Sequence, residues 1–296
     1  MSANDLPFNF GGLEQAFSAY DTSPVVILPV PYEGTTTYKK GTCKGPAALI
    51  DASRNMELFD EVLGFETFHV GIHTHEEIPP APSPEAMTSQ LIEQVGEHLA
   101  DGKFVVALGG EHSITLGPVQ AHAHAKTGLS ILQLDAHADL RDTYQGTQYG
   151  HGCVMRRCVP FGPITQVGVR SLSVEESEFL EEVPTVTTFY AHELQDLAAQ
   201  QKEIVSTLSD EVYITIDLDV FDPAIMSATG TPEPGGLGWY EVTSLLARVI
   251  EEKNVVGFDV VELMPTPGLH ACDFLAAKLV YRLLGNLVAP KGWELR

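Results

Sequence analysis

The sequence predicts an α/β protein in which helices cover both faces of a mostly parallel sheet. Three observations predict it. Short apolar, β-branched runs of four to six residues recur along the 296-residue chain. Most are nearly continuous in apolar character, as strands covered on both faces are. Helix-length segments separate them, which is the order of a strand–helix–strand fold. Ligand-type polar residues follow several of the runs directly, where open α/β sheets place their ligands.

In chain order, the expected strands are 25–30, 67–72, 104–108, 131–134, 164–169, 185–189, 212–216 and 255–260. Helices are expected at 84–101, 113–127, 193–209, 240–253 and 271–285. The Pro-rich stretch from Ile78 to Pro84 is the clearest break, and it is too short to separate domains. No charge block, no Ser/Gly-rich linker and no repeat of roughly 20–50 residues interrupts the pattern. One domain over 1–296 is therefore expected.

Charge narrows the function. Forty acids against 17 bases give 17 − 40 = −23. Such a surface repels phosphate backbones and anionic membranes, so no nucleic-acid or membrane partner is expected. A hydrophobic share of 44% with only 19% charged residues excludes an acidic disordered tail. No apolar run approaches the roughly 18 residues that span a bilayer. Residues Met1 to Val25 carry no secretory pattern, and Cys43, Cys153, Cys158 and Cys272 form no Cys-x-x-Cys pair. A reduced, cytoplasmic enzyme is the expectation.

Four segments carry chemistry. Gly109-Gly110-Glu111-His112-Ser113 follows the 104–108 run; its glycines permit a tight turn and Ser113 can cap the next helix. Asp135-Ala136-His137-Ala138-Asp139 follows 131–134. In extended backbone the residues at i, i+2 and i+4 share a face, so Asp135, His137 and Asp139 point together. Asp217 and Asp219 share a face after 212–216, while Asp222, before a proline, starts a turn. Glu262 follows 255–260 and can receive a cationic group. Unpaired buried carboxylates cost several kcal/mol each, and a metal removes that cost. Two histidines and four aspartates suit Mn²⁺ or a similar hard ion, and six ligands suit two ions better than one. Such a pair can make a nucleophilic hydroxide from a bridging water.

Other polar residues read as structural. His122 and His124 are expected on a solvated helix surface, and His73 and His75 have no evident ligand partners. Asp259 reads as a buried structural acid, and Arg156-Arg157 as surface charge or an intersubunit ion pair.

Taken together, Gly-Gly-Glu-His-Ser at 109–113, Asp-Ala-His-Ala-Asp at 135–139, Asp-Leu-Asp-Val-Phe-Asp-Pro at 217–223, Gly-Thr-Pro-Glu-Pro-Gly-Gly at 230–236 and Gly-Phe-Asp-Val-Val-Glu at 257–262 resemble the ureohydrolase family of arginases, agmatinases and their relatives. The resemblance implies a three-layer α/β/α fold around an eight-stranded, mostly parallel sheet. It implies two Mn²⁺ per chain held by His112, Asp135, His137, Asp139, Asp217 and Asp219. It further implies hydrolysis of a guanidino group to urea and an amine, by a homotrimer or homohexamer. By the same resemblance His151 is the catalytic histidine and Glu262 the guanidinium-binding acid. Asp139 is the expected proton donor to the leaving amine, and His151 the acid/base or shuttle. The stretch Leu140 to Gly146 and the Arg156-Arg157 pair look agmatinase-like, which puts agmatine, giving putrescine, first among substrates. N1-aminopropylagmatine, giving spermidine, is the alternative, as is a guanidino acid such as guanidinobutyrate with Arg141 on its carboxylate. Cys153-Val154-Met155 departs from the small residue, Pro and Phe usual there, beside the substrate channel. Two Mn²⁺ would leave −23 + 4 = −19, so most of the acidic excess remains to attract a polycation.

Overall fold

A computed structural model describes residues 6–194 and 196–296. Eight strands form its central sheet: β1 Val25–Val30, β2 Ile72–Thr74, β3 Phe104–Gly109, β4 Leu129–Leu134, β5 Ile164–Val169, β6 Val186–Tyr190, β7 Glu211–Asp217 and β8 Asn254–Val261. Their order is β2-β1-β3-β8-β7-β4-β5-β6. Every neighbouring pair runs parallel. The inner strands are buried at every position in β1, β3, β4 and β5, which explains their unbroken apolar reading.

After a single helical turn at Gln15–Ser18, eight helices of the described residues alternate with the strands: α1 Gly45–Ser53, α2 Pro84–Ala100, α3 Leu116–Ala125, α4 Val154–Cys158, α5 Val174–Glu182, α6 Leu197–Ser206, α7 Trp239–Glu252 and α8 His270–Lys291. They form two layers. On one face Leu49 of α1, Ile204 of α6, Leu246 of α7 and Leu283 of α8 join Val106 of β3 and Ile214 of β7 in the main core. On the other, Leu91 of α2 packs with Val105 of β3, and Val119 of α3 with Tyr213 of β7. Alternate residues of one strand thus feed opposite cores, and the result is a three-layer α/β/α sandwich.

The expected strand at 67–72 is corrected. Thr67–Val70 is a 3₁₀ turn, and β2 begins only after Gly71, whose φ of 91° breaks the extended run. The Phe68 amide donates to the Tyr281 hydroxyl of α8 (3.2 Å), so this apolar stretch packs on a helix instead of a strand. Helices α1, α4 and α5 were not anticipated. α5 has five glutamates in nine residues and buries only Glu176, so it lacks an apolar stripe; a Ser173–Glu176 capping box starts it instead. The expected 113–127 helix is a 3₁₀ turn over His112–Thr115 followed by α3. Ser113 is not its cap: the Ser113 hydroxyl donates to Glu111 Oε1.

Candidate active site

The four motifs emerge at the carboxyl ends of β3, β8, β7 and β4, which are consecutive in the sheet. Gly109 and Gly110 deliver the first of them, though not through the tight turn expected. Neither has positive φ; a Cβ on Gly110 would lie 2.0 Å from the Tyr32 carbonyl oxygen, and one on Gly109 2.7 Å from Val261. The glycines let two backbones touch, and the Gly110 and Glu111 amides then donate to Val30 and Tyr32 carbonyls.

His112 is buried, and its ring is oriented by a chain of buried hydroxyls. Thr215 donates to Asp259 Oδ1 (2.6 Å), so towards His112 Nε2 (2.9 Å) its oxygen can only accept. Tyr213 completes Asp259 through Oδ2 (2.8 Å). Nε2 therefore carries the proton, and Nδ1 is left as a buried atom without a hydrogen bond. Around it stand Asp139 Oδ2 at 3.0 Å, Asp135 Oδ2 at 3.1 Å and Asp217 Oδ2 at 3.5 Å. A lone pair facing three carboxylates is repulsive unless a cation sits between them.

A second cluster shares one member with the first. His137 Nδ1 lies 3.0 Å from Asp219 Oδ2 and 3.6 Å from Asp135 Oδ1. Ligand atoms of His112, Asp135 and Asp139 fall within 4.8 Å of one another, as do those of Asp135, His137 and Asp219. Asp135 thus offers one oxygen to each group. The expected alternation is only approximate. Asp139 has φ 54°, and Leu218–Val220 is a 3₁₀ turn in which the Asp219 amide donates to Asp217 Oδ1 (2.9 Å). The side chains converge through turns, not through regular extended chain.

The protonation balance agrees with a cation site. Burial would lower His137, but Asp219 and Asp135 hold it at about 12. Burial would lower His112 too, but Asp135 and Asp139 hold it well above its ordinary value, so positive charge at Nδ1 is what these carboxylates favour. Burial and then Asp135 push Asp139 up to about 6; burial and then Asp219 push Asp217 well up. Several acids in one buried space resist joint ionisation, and positive charge among them reverses that. The donor set fits divalent ions.

Glu262 also adopts a left-handed φ, 66°, a conformation that costs a non-glycine residue about 1–2 kcal/mol. Its Oε1 accepts from the His112 amide (2.7 Å), and its own amide donates to the Gly110 carbonyl. Burial pushes this carboxyl up to about 8. His151 stands opposite on the 3₁₀ turn His151–Cys153. Thr35 Oγ1 donates to buried Glu111 (2.7 Å), so it accepts from His151 Nδ1 (3.1 Å) and leaves Nε2 as the ring's free nitrogen. Burial lowers the His151 imidazole. His112, His137, Asp139, His151, Asp217 and Glu262 all line one cavity of about 310 Å³.

Sequence reading missed the groups behind the motifs: Thr215, Tyr213, Thr35 and Glu111. A tyrosine and a threonine inside an apolar strand, and the acid next to His112, were the available signal. Asp259 is the buried structural acid expected. Asp222 takes the Ala224, Gly235 and Gly236 amides, so its turn role extends to holding the 230–236 loop. His122 is corrected. It is 1% exposed, bonded to the Pro118 carbonyl (2.8 Å) and packed on Tyr213, while His124 is exposed as expected. His73 and His75 lie with Tyr20 and His98 at the sheet edge, outside the cavity. Arg157 pairs within the chain with Asp142 (2.6 Å), and Arg156 covers Phe179. The four cysteines are free, and no helix of the described residues is long and apolar enough to cross a membrane.

Known proteins resemble this chain in sequence and fold. The Synechocystis protein named N(1)-aminopropylagmatine ureohydrolase is 39% identical over 280 residues, covering 92% of this chain and 91% of its own. A Thermus thermophilus protein of the same name is 41% identical over 93% of this chain and 94% of its own. The crystal structure of agmatine ureohydrolase of Thermoplasma volcanium superposes with a TM-score of 0.86, at 30% identity and 96% coverage of both chains. The arginase-family model matches residues 23–285. With the cluster-bearing strand ends all inside that span, the chain belongs to the arginase family.

Proposed function

We propose that this chain, as one ureohydrolase domain, releases urea from a guanidino compound with a cationic tail, using two Mn²⁺ per chain. The observation that carries the reading is the pair of histidine–carboxylate clusters sharing Asp135 in the cavity that Glu262 lines. N1-aminopropylagmatine, giving spermidine, is the first substrate and agmatine the second. That reverses the order expected from the motifs, because the more similar relatives carry the aminopropylagmatine name. Guanidino acids rank last: the Arg141 guanidinium already faces the Glu176 carboxylate at ion-pair distance (3.8 Å) and lies over the Tyr144 ring (4.7 Å).

His112, Asp135, Asp139 and Asp217 would hold one ion; Asp135, His137 and Asp219 would hold the other. Their oxygen-rich donor set favours a hard divalent ion. Two such ions, when bound, supply water made nucleophilic near neutral pH and positive charge for the transition state. Glu262 takes the guanidinium N–H groups in a charge-assisted pair, and that partner favours the ionised carboxylate. Its bond to the His112 amide keeps this anchor in register with the first cluster. Asp139 accepts the proton released on attack and returns it to the departing amine. His151, steadied through Thr35, exchanges protons with solvent through Nε2. The same reading has a cytoplasmic homotrimer or homohexamer.

The test is urea release from N1-aminopropylagmatine, agmatine, arginine and guanidinobutyrate under saturating Mn²⁺. The first two should be cleaved, the aminopropyl compound with the higher kcat/KM. Full metal occupancy with no urea from any of them refutes the proposal.

A further inference from the structure

Five acids line the cavity: Asp139, Glu176, Asp217, Glu233 and Glu262. Four are already engaged. Asp139 and Asp217 surround His112, and Glu262 holds the His112 amide. Glu176 receives the Leu140 amide on Oε1 and the Ser173 amide and hydroxyl on Oε2. The Glu233 carboxylate differs. Its nearest described partner is His137 Nε2 at 4.0 Å, beyond hydrogen-bond reach, and its side chain is 37% exposed.

The backbone beneath Glu233 is fixed. Pro232 and Pro234 flank it. Arg170 donates to the Glu233 carbonyl from Nη2 (2.9 Å) and Nε (3.2 Å), and to the Pro234 carbonyl from Nε (3.1 Å). The same Nη2 also donates to the carbonyl of Asp219 (2.6 Å), a member of the second cluster. Asp222 takes the Gly235 and Gly236 amides. A rigid loop thus presents to the cavity a carboxylate that accepts no hydrogen bond among the described residues and has only the distant His137 ring as an ionic neighbour, which lowers the entropy lost on binding. The cations on the lining do not cancel it: Arg141 is paired as above, and Lys39 lies over the Tyr38 ring.

We infer that Glu233 is a specificity-determining residue that receives the ammonium four methylenes from the guanidino group. The inference rests on the ureohydrolase reading. An extended four-methylene linker spans roughly 6 Å. Glu233 and the guanidinium anchor Glu262 line the same cavity, and Gly230, three residues before Glu233 on the same loop, passes beside Glu262, a Cβ there lying 3.8 Å from its Oε2. Both agmatine and N1-aminopropylagmatine carry a cation at that position, whereas a guanidino acid places a carboxylate near it and is repelled.

The experiment compares the parent, Glu233→Gln and Glu233→Asp, all loaded with Mn²⁺, with metal content measured for each. The probes are agmatine, N1-aminopropylagmatine and n-butylguanidine, whose tail is neutral, followed as substrate or competitive inhibitor. Losing a partly exposed charge-assisted bond lowers kcat/KM for both amines about 10-fold, mainly through KM, in Glu233→Gln. Butylguanidine changes less than about twofold, metal content is unchanged, and Glu233→Asp recovers part of the loss. Parent-like kinetics of Glu233→Gln on the amines overturn the inference. Equal losses on butylguanidine with lowered metal content also overturn it, and make Glu233 a support for His137 instead. No urea from the parent with either amine removes the ureohydrolase reading itself, and the inference with it.

Discussion

Replacing Thr215 with valine removes one hydroxyl and keeps the shape of the side chain. That hydroxyl donates to Asp259 Oδ1 and accepts from His112 Nε2, and all three residues are buried. The variant leaves the imidazole N–H without an acceptor, at about 1–3 kcal/mol, and deletes a bond to a carboxylate worth about 1.5–3 kcal/mol. The expected destabilisation is roughly 2.5–6 kcal/mol. A histidine ligand that loses its outer partner commonly costs about 10- to 100-fold in metal affinity. Both numbers are measurable: chemical denaturation of the metal-free protein for the first, Mn²⁺ titration for the second. Thr215→Ser restores the hydroxyl and should stay close to the parent in affinity. If Thr215→Val unfolds within about 0.5 kcal/mol of the parent and binds Mn²⁺ equally well, the hydroxyl does not orient His112 and the argument for its free Nδ1 fails.

His137→Ala should lose the second cluster's ion and nearly all turnover; undiminished metal content by elemental analysis would remove His137 from the ligand set. Glu262→Gln should retain metal while kcat/KM falls roughly 30- to 150-fold, the kinetic equivalent of about 2–3 kcal/mol from a lost charge-assisted pair. Gly110→Ala forces a methyl group against the Tyr32 carbonyl and should cost about 3 kcal/mol or more, read from the denaturation midpoint. Burial lowers His122 from 6.5 to about 4, so the unfolded chain binds the proton first as pH falls. Stability should therefore be intact above about pH 6.5 and decline towards pH 4, by up to ~3 kcal/mol from this residue at about 1.4 kcal/mol per pH unit. His98, also near 4 through burial, adds to the slope; His122→Leu should flatten the acid limb by about half, and an unaltered limb would contradict this.

The strand ends were legible because chemistry there is written in adjacent residues. Asp135, His137 and Asp139 announce themselves within five positions, and Asp217 with Asp219 within three. Thr215 and Asp259 stand 44 residues apart and become neighbours only when β7 pairs with β8 in the register that sets them side by side. No local pattern gives that register. The 67–72 run failed for a related reason: apolar residues that pack on a helix and those that pack in a sheet look alike over six positions. His122 was misplaced because neighbouring alanines and His124 made its segment look solvated, whereas Gly257 leaves room for its ring, a Cβ there lying 2.5 Å from Nε2. Glu233 was quoted only as part of a motif, since nothing in the sequence shows which of five acids keeps an unpaired carboxylate.

The cavity walls and the cavity floor come from different parts of the chain. The clusters stand on the ends of hydrogen-bonded strands, but Tyr38, Lys39, Arg141, Tyr144, Leu172 and Glu233 reach the cavity from separate loops. Changes in those loops can alter which tail is admitted while the strand ends stay as they are. Substrate range can therefore diverge among descendants by loop exchange alone, and a library confined to these six positions should yield altered selectivity with both histidine–carboxylate clusters intact.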